Sequence, residues 1–197
     1  MTTREAFLSK IRAAQPASRP RPEVPVFPVV LSADGDDPKA RFTAALTAMG
    51  GTCVEAANLS DVNALIAARF PDAKVIASAV AGVNGNRALS PDTVPASLED
   101  VDVGIVRGRF GVAETGSVWF SEDEYVVNSI GYLAQHLVVL LDSASLVDGL
   151  QQVYRREDFK SARYAVLVTG PSATADIEGV LIRGAQGVRS LTVVWLA

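Results

Sequence analysis

Apolar positions along the chain fall into two kinds of run, and the two alternate. At helical spacing, Phe7, Leu8 and Ile11 share a face within residues 3–14, and Phe42, Leu46 and Met49 share one within residues 38–49. Thr2 and Glu5 have capping-box spacing at the start of the first. The second is punctuated at both ends. Asp37 caps it, Pro38 suits its first turn and Gly50 suits a left-handed stop. SDVNALIAARF (60–70) reads as a third helix, capped by Ser60. SASLVDGLQQVYRR (143–156) reads as a fourth, with Leu146, Leu150 and Val153 on its face, and GPSATADIEGVLIRG (170–184) turns into a fifth. Between the helices lie short apolar runs: TCVEA (52–56), KVIASAV (74–80), VDVGIVRG (101–108), residues 118–120, HLVVLLD (136–142), YAVLVTG (164–170) and LTVVWLA (191–197). Several of these strand candidates lack period-two alternation. Strands apolar on both faces, alternating with helices, predict an α/β fold with a mostly parallel central sheet and helices on both faces.

Pro16, Pro20, Pro22, Pro25 and Pro28 separate the first helix from the rest. Such density blocks helix and favours an extended tether. The chain therefore divides into an N-terminal helical arm with its tether, residues 1–28, and a main domain, residues 29–197. The arm is either loosely held or a partner-binding helix. Residues 81–100 are rich in Gly, Asn, Pro and Ser and read as a long loop, of the length that is often functional or hides an element.

Composition narrows the classes of function. With 197 residues and 49% hydrophobic content the chain can bury a sizeable core. A net charge of −4 argues against a general nucleic-acid binder but allows a local anion site. Cys53 is the only cysteine, so an internal disulfide and a cysteine-held iron–sulfur cluster are both ruled out. No cofactor is expected in this chain. The strongest apolar run, residues 137–141, is far short of a membrane span, and the N-terminus has no signal-like stretch. The cytoplasm is the expected location.

Three segments carry candidate chemistry. GPSATADIEG (170–179) follows a strand and opens a predicted helix, where free N–H groups and the helix dipole favour an anion. Gly170, Ser172, Thr174 and Asp176 are its candidate ligand-binding residues. The alternative is an ordinary N-cap at Ser172 or Thr174, with Asp176 complementing the dipole. AETGS (113–117) places Gly116 between Thr115 and Ser117, a turn through which backbone can approach a ligand. Glu114 beside it is the candidate general base or nucleophile, against the alternative of a solvated turn residue. GAQG (184–187) is either a helix stop or a means of aiming the Gln186 amide at a ligand. His136, the only histidine, reads as a hydrogen-bonded core residue rather than a triad member. No histidine-cluster metal site is available, and the acids of SEDE (121–124) read as a solvated loop. Ligands of open α/β sheets sit outside the carboxyl ends of the strands, so the first two turns are expected to wall one cleft at that rim.

Taken in order, AETGS, QHLVVLLD and VTGPSATADIEGVLIRGAQG resemble the LUD domain of lactate utilization protein C over roughly residues 30–197. The GPSxTADIE string is the most specific part, and the short leading arm also fits the family. Where relatives commonly read Gly-x-His-Gly-Pro, this chain has Gly184, Ala185, Gln186, Gly187 and Val188, so an acid–base role there is in doubt. NSIGYLAQ (128–135) also lacks a proline that many relatives have nearby. The resemblance implies a fold like that of ribose-5-phosphate isomerases, glucosamine-phosphate deaminases and CoA transferases. It implies a part in oxidising L-lactate to pyruvate beside two partner proteins, one of which carries the iron–sulfur clusters. Two other functions stay open: a stand-alone enzyme on a sugar phosphate, carboxylate or CoA ester, and a non-catalytic small-molecule binding module.

Overall fold

Five strands run parallel in one sheet, in the spatial order β1 (Thr52–Ala56), β11 (Ser190–Leu196), β6 (His136–Asp142), β3 (Val103–Arg107), β2 (Ile76–Ser78). The computed structural model describes residues 3–20, 22, 23, 25, 37–176 and 179–196. β6 and β11 lie at the centre and are buried along their length except at the ends. Their side chains alternate between two cores. Leu137, Val139, Leu141, Leu191, Val193 and Trp195 face one, and Val138, Leu140 and Val194 the other. Burial on both faces is why these strands read as continuous apolar runs.

Helix α3 (Leu59–Arg69) covers the second face with Val62 and Ile66. The first face is covered by α2 (Pro38–Ala48), through Phe42 and Leu46, and by a second sheet. That sheet has the order β7 (Leu146–Val147), β4 (Phe110–Val112), β5 (Ser117–Ser121), β8 (Ala165–Val168). The short helices α4 (Glu122–Tyr125) and α5 (Ile130–Leu133) add Tyr125 and Ile130 to the same core. Phe42 and Leu46 have no exposed surface; burying each such side chain stabilises the fold by about 1.5–3 kcal/mol. The N-terminal helix α1 (Thr3–Ala13) buries none of its residues, and Phe7 and Ile11 are exposed. Its expected cap, Thr2, and residues 29–36 of the expected main domain lie outside the described residues. Among the described residues no helix is long and apolar enough to cross a membrane.

Several local expectations are corrected. Met49 sits past the last turn of α2 and is exposed rather than part of its buried stripe. The cap of α3 is Asn58, whose side chain accepts the Asp61 N–H at 3.0 Å, two residues before Ser60. The predicted helix over 143–156 is instead a 3₁₀ turn, strand β7 and the short helix α6 (Leu150–Val153), followed by α7 (Glu157–Ser161). Leu146 is drawn into the sheet by Gly111, and Gly149 interrupts the helical pattern. The long segment 81–100 contains a 3₁₀ turn, Pro95–Leu98, that buries Leu98.

The largest correction concerns residues 170–184. Their described part forms no helix. It forms a hairpin of β9 (Ala173–Thr174) and β10 (Ile182–Arg183). Gly170, Gly179 and Gly184 all adopt left-handed backbone, at φ +68°, +68° and +74°, which breaks any helix through this stretch. The anion-ready helix start expected at Ser172 is therefore absent, and Glu178 lies outside the described residues.

Candidate functional site

β5 and β8 pair antiparallel, with Val118 opposite Val168, and this pairing brings the two distant turns together. Thr115 Oγ1 and Ser117 Oγ share a hydrogen bond at 2.7 Å, and Ser117 Oγ and Thr169 Oγ1 share another at 2.5 Å. Ser117 is buried, so a chain of three hydroxyls runs from the β4–β5 turn to the end of β8. Both turns rest on α2. A Cβ on Gly116 (φ +64°) would lie 2.3 Å from the Leu46 amide nitrogen, and one on Gly170 would lie 2.7 Å from the Met49 carbonyl oxygen. The close approach that Gly116 permits is thus to a helix backbone.

Beyond Gly170 the chain folds back on itself. The Ser172 N–H donates to the Val188 carbonyl at 3.0 Å, and the Gly184 N–H donates to the Ser172 carbonyl at 2.8 Å. Gly187 has room only for hydrogen against Ser172, whose Cβ is 2.9 Å from where a Gly187 Cβ would stand. This seats Gln186 beside Ser172. A cavity of about 290 Å³ opens here, lined among others by Tyr132, Thr169, Gly170, Ser172 and Gln186. Its lining supplies hydroxyls and an amide beside the apolar side chains of Leu167, Val168, Pro171 and Val188, without a carboxylate or an imidazole among the lining residues. At its edge the hydroxyls of Tyr132 and Tyr164 hydrogen-bond each other. Burial, then Tyr132, pushes the Tyr164 phenol above its usual range.

The cavity lies at the amino ends of the parallel strands, not at the expected carboxyl rim. Residues 186–188 lead into the start of β11, residues 131 and 132 lead into β6, and the Arg189 N–H donates to the Gln135 carbonyl at 2.7 Å. The reason is topological. β8 belongs to the second sheet, and its carboxyl end meets the amino ends of its neighbours in the first.

The remaining candidates stand elsewhere. Glu114 is exposed at the tip of the β4–β5 hairpin. Its carboxylate accepts the Leu150 N–H at 2.8 Å, and its own N–H donates to the Asp148 carbonyl at 2.9 Å. It fastens the hairpin to the start of α6 and does not line the cavity. Thr174 pairs with Ile182 in the hairpin and accepts the Asp176 N–H at 3.3 Å, so both lie outside the cavity lining. The acids of residues 122–124 are committed to other partners. Glu122 accepts the Arg163 and Tyr164 N–H groups, while Asp123 and Glu124 pair with Arg109 at 3.1 and 2.7 Å. Sequence reasoning missed Thr169 and Tyr132. Thr169 immediately precedes Gly170, which was a usable signal. Nothing local marks Tyr132, whose position depends on how α5 enters β6.

A parallel five-stranded sheet backed by a mixed four-stranded one, with a cavity at the amino rim, defines an α/β domain of a particular kind. The chain belongs to the LUD domain family, whose family model matches residues 88–196, more than half of the sequence. Lactate utilization protein C of Halalkalibacterium halodurans is 30% identical over 95 residues. That match covers 45% of this chain and 41% of the relative, so the chain spans about two fifths of that relative's length. A DUF162 family protein from Deinococcus radiodurans has a similar fold, with a TM-score of 0.64 at 12% identity over 81% of this chain and 96% of that one.

Proposed function

We propose that this chain is a component of a lactate utilization system, acting beside iron–sulfur partner proteins that oxidise L-lactate to pyruvate, and that it binds a small anionic ligand. The match to a lactate utilization protein C within the family supports the first part. The cavity lined by Tyr132, Thr169, Gly170, Ser172 and Gln186 supports the second. Hydroxyl and amide donors on a glycine-shaped wall suit an oxyanion, and Thr115 and Ser117 steady Thr169 from behind.

The single observation that carries the ligand reading is the character of this lining, which offers donors without a general base. Glu114, the candidate general base, is tied to the Leu150 N–H. The geometry therefore favours binding over turnover, with electron transfer left to the partners.

Deletion of the gene in its host should abolish or slow growth on L-lactate while growth on pyruvate is kept, and the chain should co-purify with the iron–sulfur proteins. Undiminished growth on lactate would overturn the pathway assignment. For the ligand, a thermal-shift screen of lactate, pyruvate, sugar phosphates and CoA esters decides. A ligand at 100 times its Kd stabilises by about 2.7 kcal/mol. Ser172→Ala and Gln186→Ala should weaken that response. A response untouched by either variant would remove this cavity from the reading.

A further inference from the structure

The amino rim carries a second cavity, of about 300 Å³, around the chain's only histidine. Arg69, at the end of α3, and Arg189, just before β11, line it with His136 at the start of β6. His136 is held in place from two sides. Its Nδ1 hydrogen-bonds Ser190 Oγ at 2.8 Å, and the Phe70 ring packs over the imidazole with centroids 4.8 Å apart. Both arginines are exposed, and neither makes an ion pair among the described residues. Among the described residues the Arg69 guanidinium donates to the Thr52 hydroxyl, at 3.1 Å.

The acids nearby do not neutralise this pair directly. Asp102, in the turn before β3, lines the cavity, but one oxygen of its carboxylate accepts the Lys74 and Val75 N–H groups at 2.7 and 2.9 Å. Asp72, in the turn between α3 and β2, is exposed. Two guanidinium groups and an imidazole from three separate elements thus border one concavity beside an apolar wall of Phe70 and Pro71. Guanidinium forks match the planar oxygens of a carboxylate or phosphate and bind them with paired, charge-assisted hydrogen bonds.

We propose that Arg69, His136 and Arg189 form a site for a small oxyanion, the carboxylate or phosphate group of a metabolite, separate from the cavity at Ser172 and Gln186. His136 completes the site when protonated, so occupancy rises as the pH falls. Burial, followed by the field of Arg189, favours the neutral imidazole, with Asp102 opposing and Arg69 reinforcing that preference. A bound anion reverses the balance and draws a proton onto the ring. The inference does not depend on the role in lactate utilization.

One histidine makes the test direct, because the imidazole has a single set of resonances. The His136 ring signals of the full chain are followed by NMR while phosphate, sulfate, pyruvate or L-lactate is added, with sodium chloride at matched ionic strength as the control. The expected result is a saturable movement with an oxyanion and an upward move of the His136 titration midpoint, neither of which chloride reproduces. Phosphate and carboxylate arms separate the two ligand chemistries. Arg69→Gln and Arg189→Gln should each weaken binding by roughly tenfold or more, as expected for losing a charge-assisted hydrogen bond. Both residues are exposed, and unchanged thermal unfolding without anion checks that the variants fold. No saturable movement up to roughly 50 mM of any oxyanion would overturn the proposal, since weaker binding is not specific recognition. An equal response to chloride, or a response kept in the double arginine variant, would overturn it too.

Discussion

The hydroxyls of Ser117 and Thr169 stand 2.5 Å apart although 52 positions separate them in the chain. Through this contact the β4–β5 turn touches the wall of the amino-rim cavity. Ser117 is buried, so removing its oxygen leaves Thr115 and Thr169 short of a partner. Ser117→Ala should cost about 1–2 kcal/mol, read as a lower urea midpoint with an unchanged slope. Adding Thr169→Val should cost less than the sum of the two single changes, because both ends of the bond then go together. Strict additivity would show that the two hydroxyls are not coupled.

Three glycines with nearly the same backbone offer a graded test. Gly116, Gly170 and Gly179 have φ of +64°, +68° and +68°. An alanine at any of them bears a left-handed strain of about 1 kcal/mol. Among the described residues only Gly179 has nothing within 4 Å of the added methyl, whereas Gly116 would meet the backbone of α2 and Gly170 that of Met49 just past it. Gly179→Ala should therefore cost roughly the strain alone, and Gly116→Ala well over 2 kcal/mol, in the range of overpacked cores. Equal melting temperatures for the three variants would contradict the packing of both turns on α2.

Thr192 is fully buried in β11, and its hydroxyl has no hydrogen-bond partner among the described residues. Valine has nearly the same shape without the polar atom. Thr192→Val should stabilise the protein by about 1 kcal/mol, measured by chemical denaturation. Destabilisation instead would mean that the hydroxyl is satisfied in solution.

Two groups of residues should make stability fall with acid in two separate windows. In the native state the His136 imidazole is held below its ordinary range, chiefly by burial. The unfolded chain then binds the proton more readily, and stability falls as the pH drops through the unfolded histidine value near 6.5. Replacing His136 with asparagine should remove this upper step. The carboxylates behave in the usual acidic sense. Glu122 is held down to about 2 by its own N–H and those of Tyr164 and Arg163, and Asp102 is lowered by the Val75 and Lys74 N–H groups. Their stabilisation is complete above the ordinary carboxylate range and is lost as the pH falls through it toward 2. Glu122→Gln should flatten the lower step only. A profile from pH 8 to 3 with one step, or with steps that these variants do not move, would contradict the assignments.

The first sheet was readable in the sequence because its central strands, β6 and β11, are nearly continuous apolar runs buried on both faces. The second sheet was readable only in part, through β5 and β8. β4 has three residues and β7 two, too few to show a period, and their pairing is fixed by residues such as Gly111 and Leu146 that lie far apart in the chain. The cavity shows the same division. Gly170, Ser172 and Gln186 were singled out and do come together, but through a hairpin pinned by left-handed glycines rather than a helix start. The pattern of small and hydroxyl residues marked the place. It could not distinguish two ways of turning the chain, because Ser, Thr, Asp and Gly serve a helix cap and a tight hairpin equally well. Glu114 illustrates the converse, since an acid beside a Gly turn can equally serve to hold a neighbouring N–H.

Among the described residues β1 joins the parallel sheet only through β11, which is also wedged against β6. A chain emerging from the ribosome therefore makes α2, β1 and α3 long before the strand that links them to the rest is available. Until that strand arrives, the exposed flanks of β1 and β6 are open to the wrong neighbours. Trimming even the last few residues of β11 should turn a folding protein into one that clumps or is degraded, whatever becomes of its ligand sites.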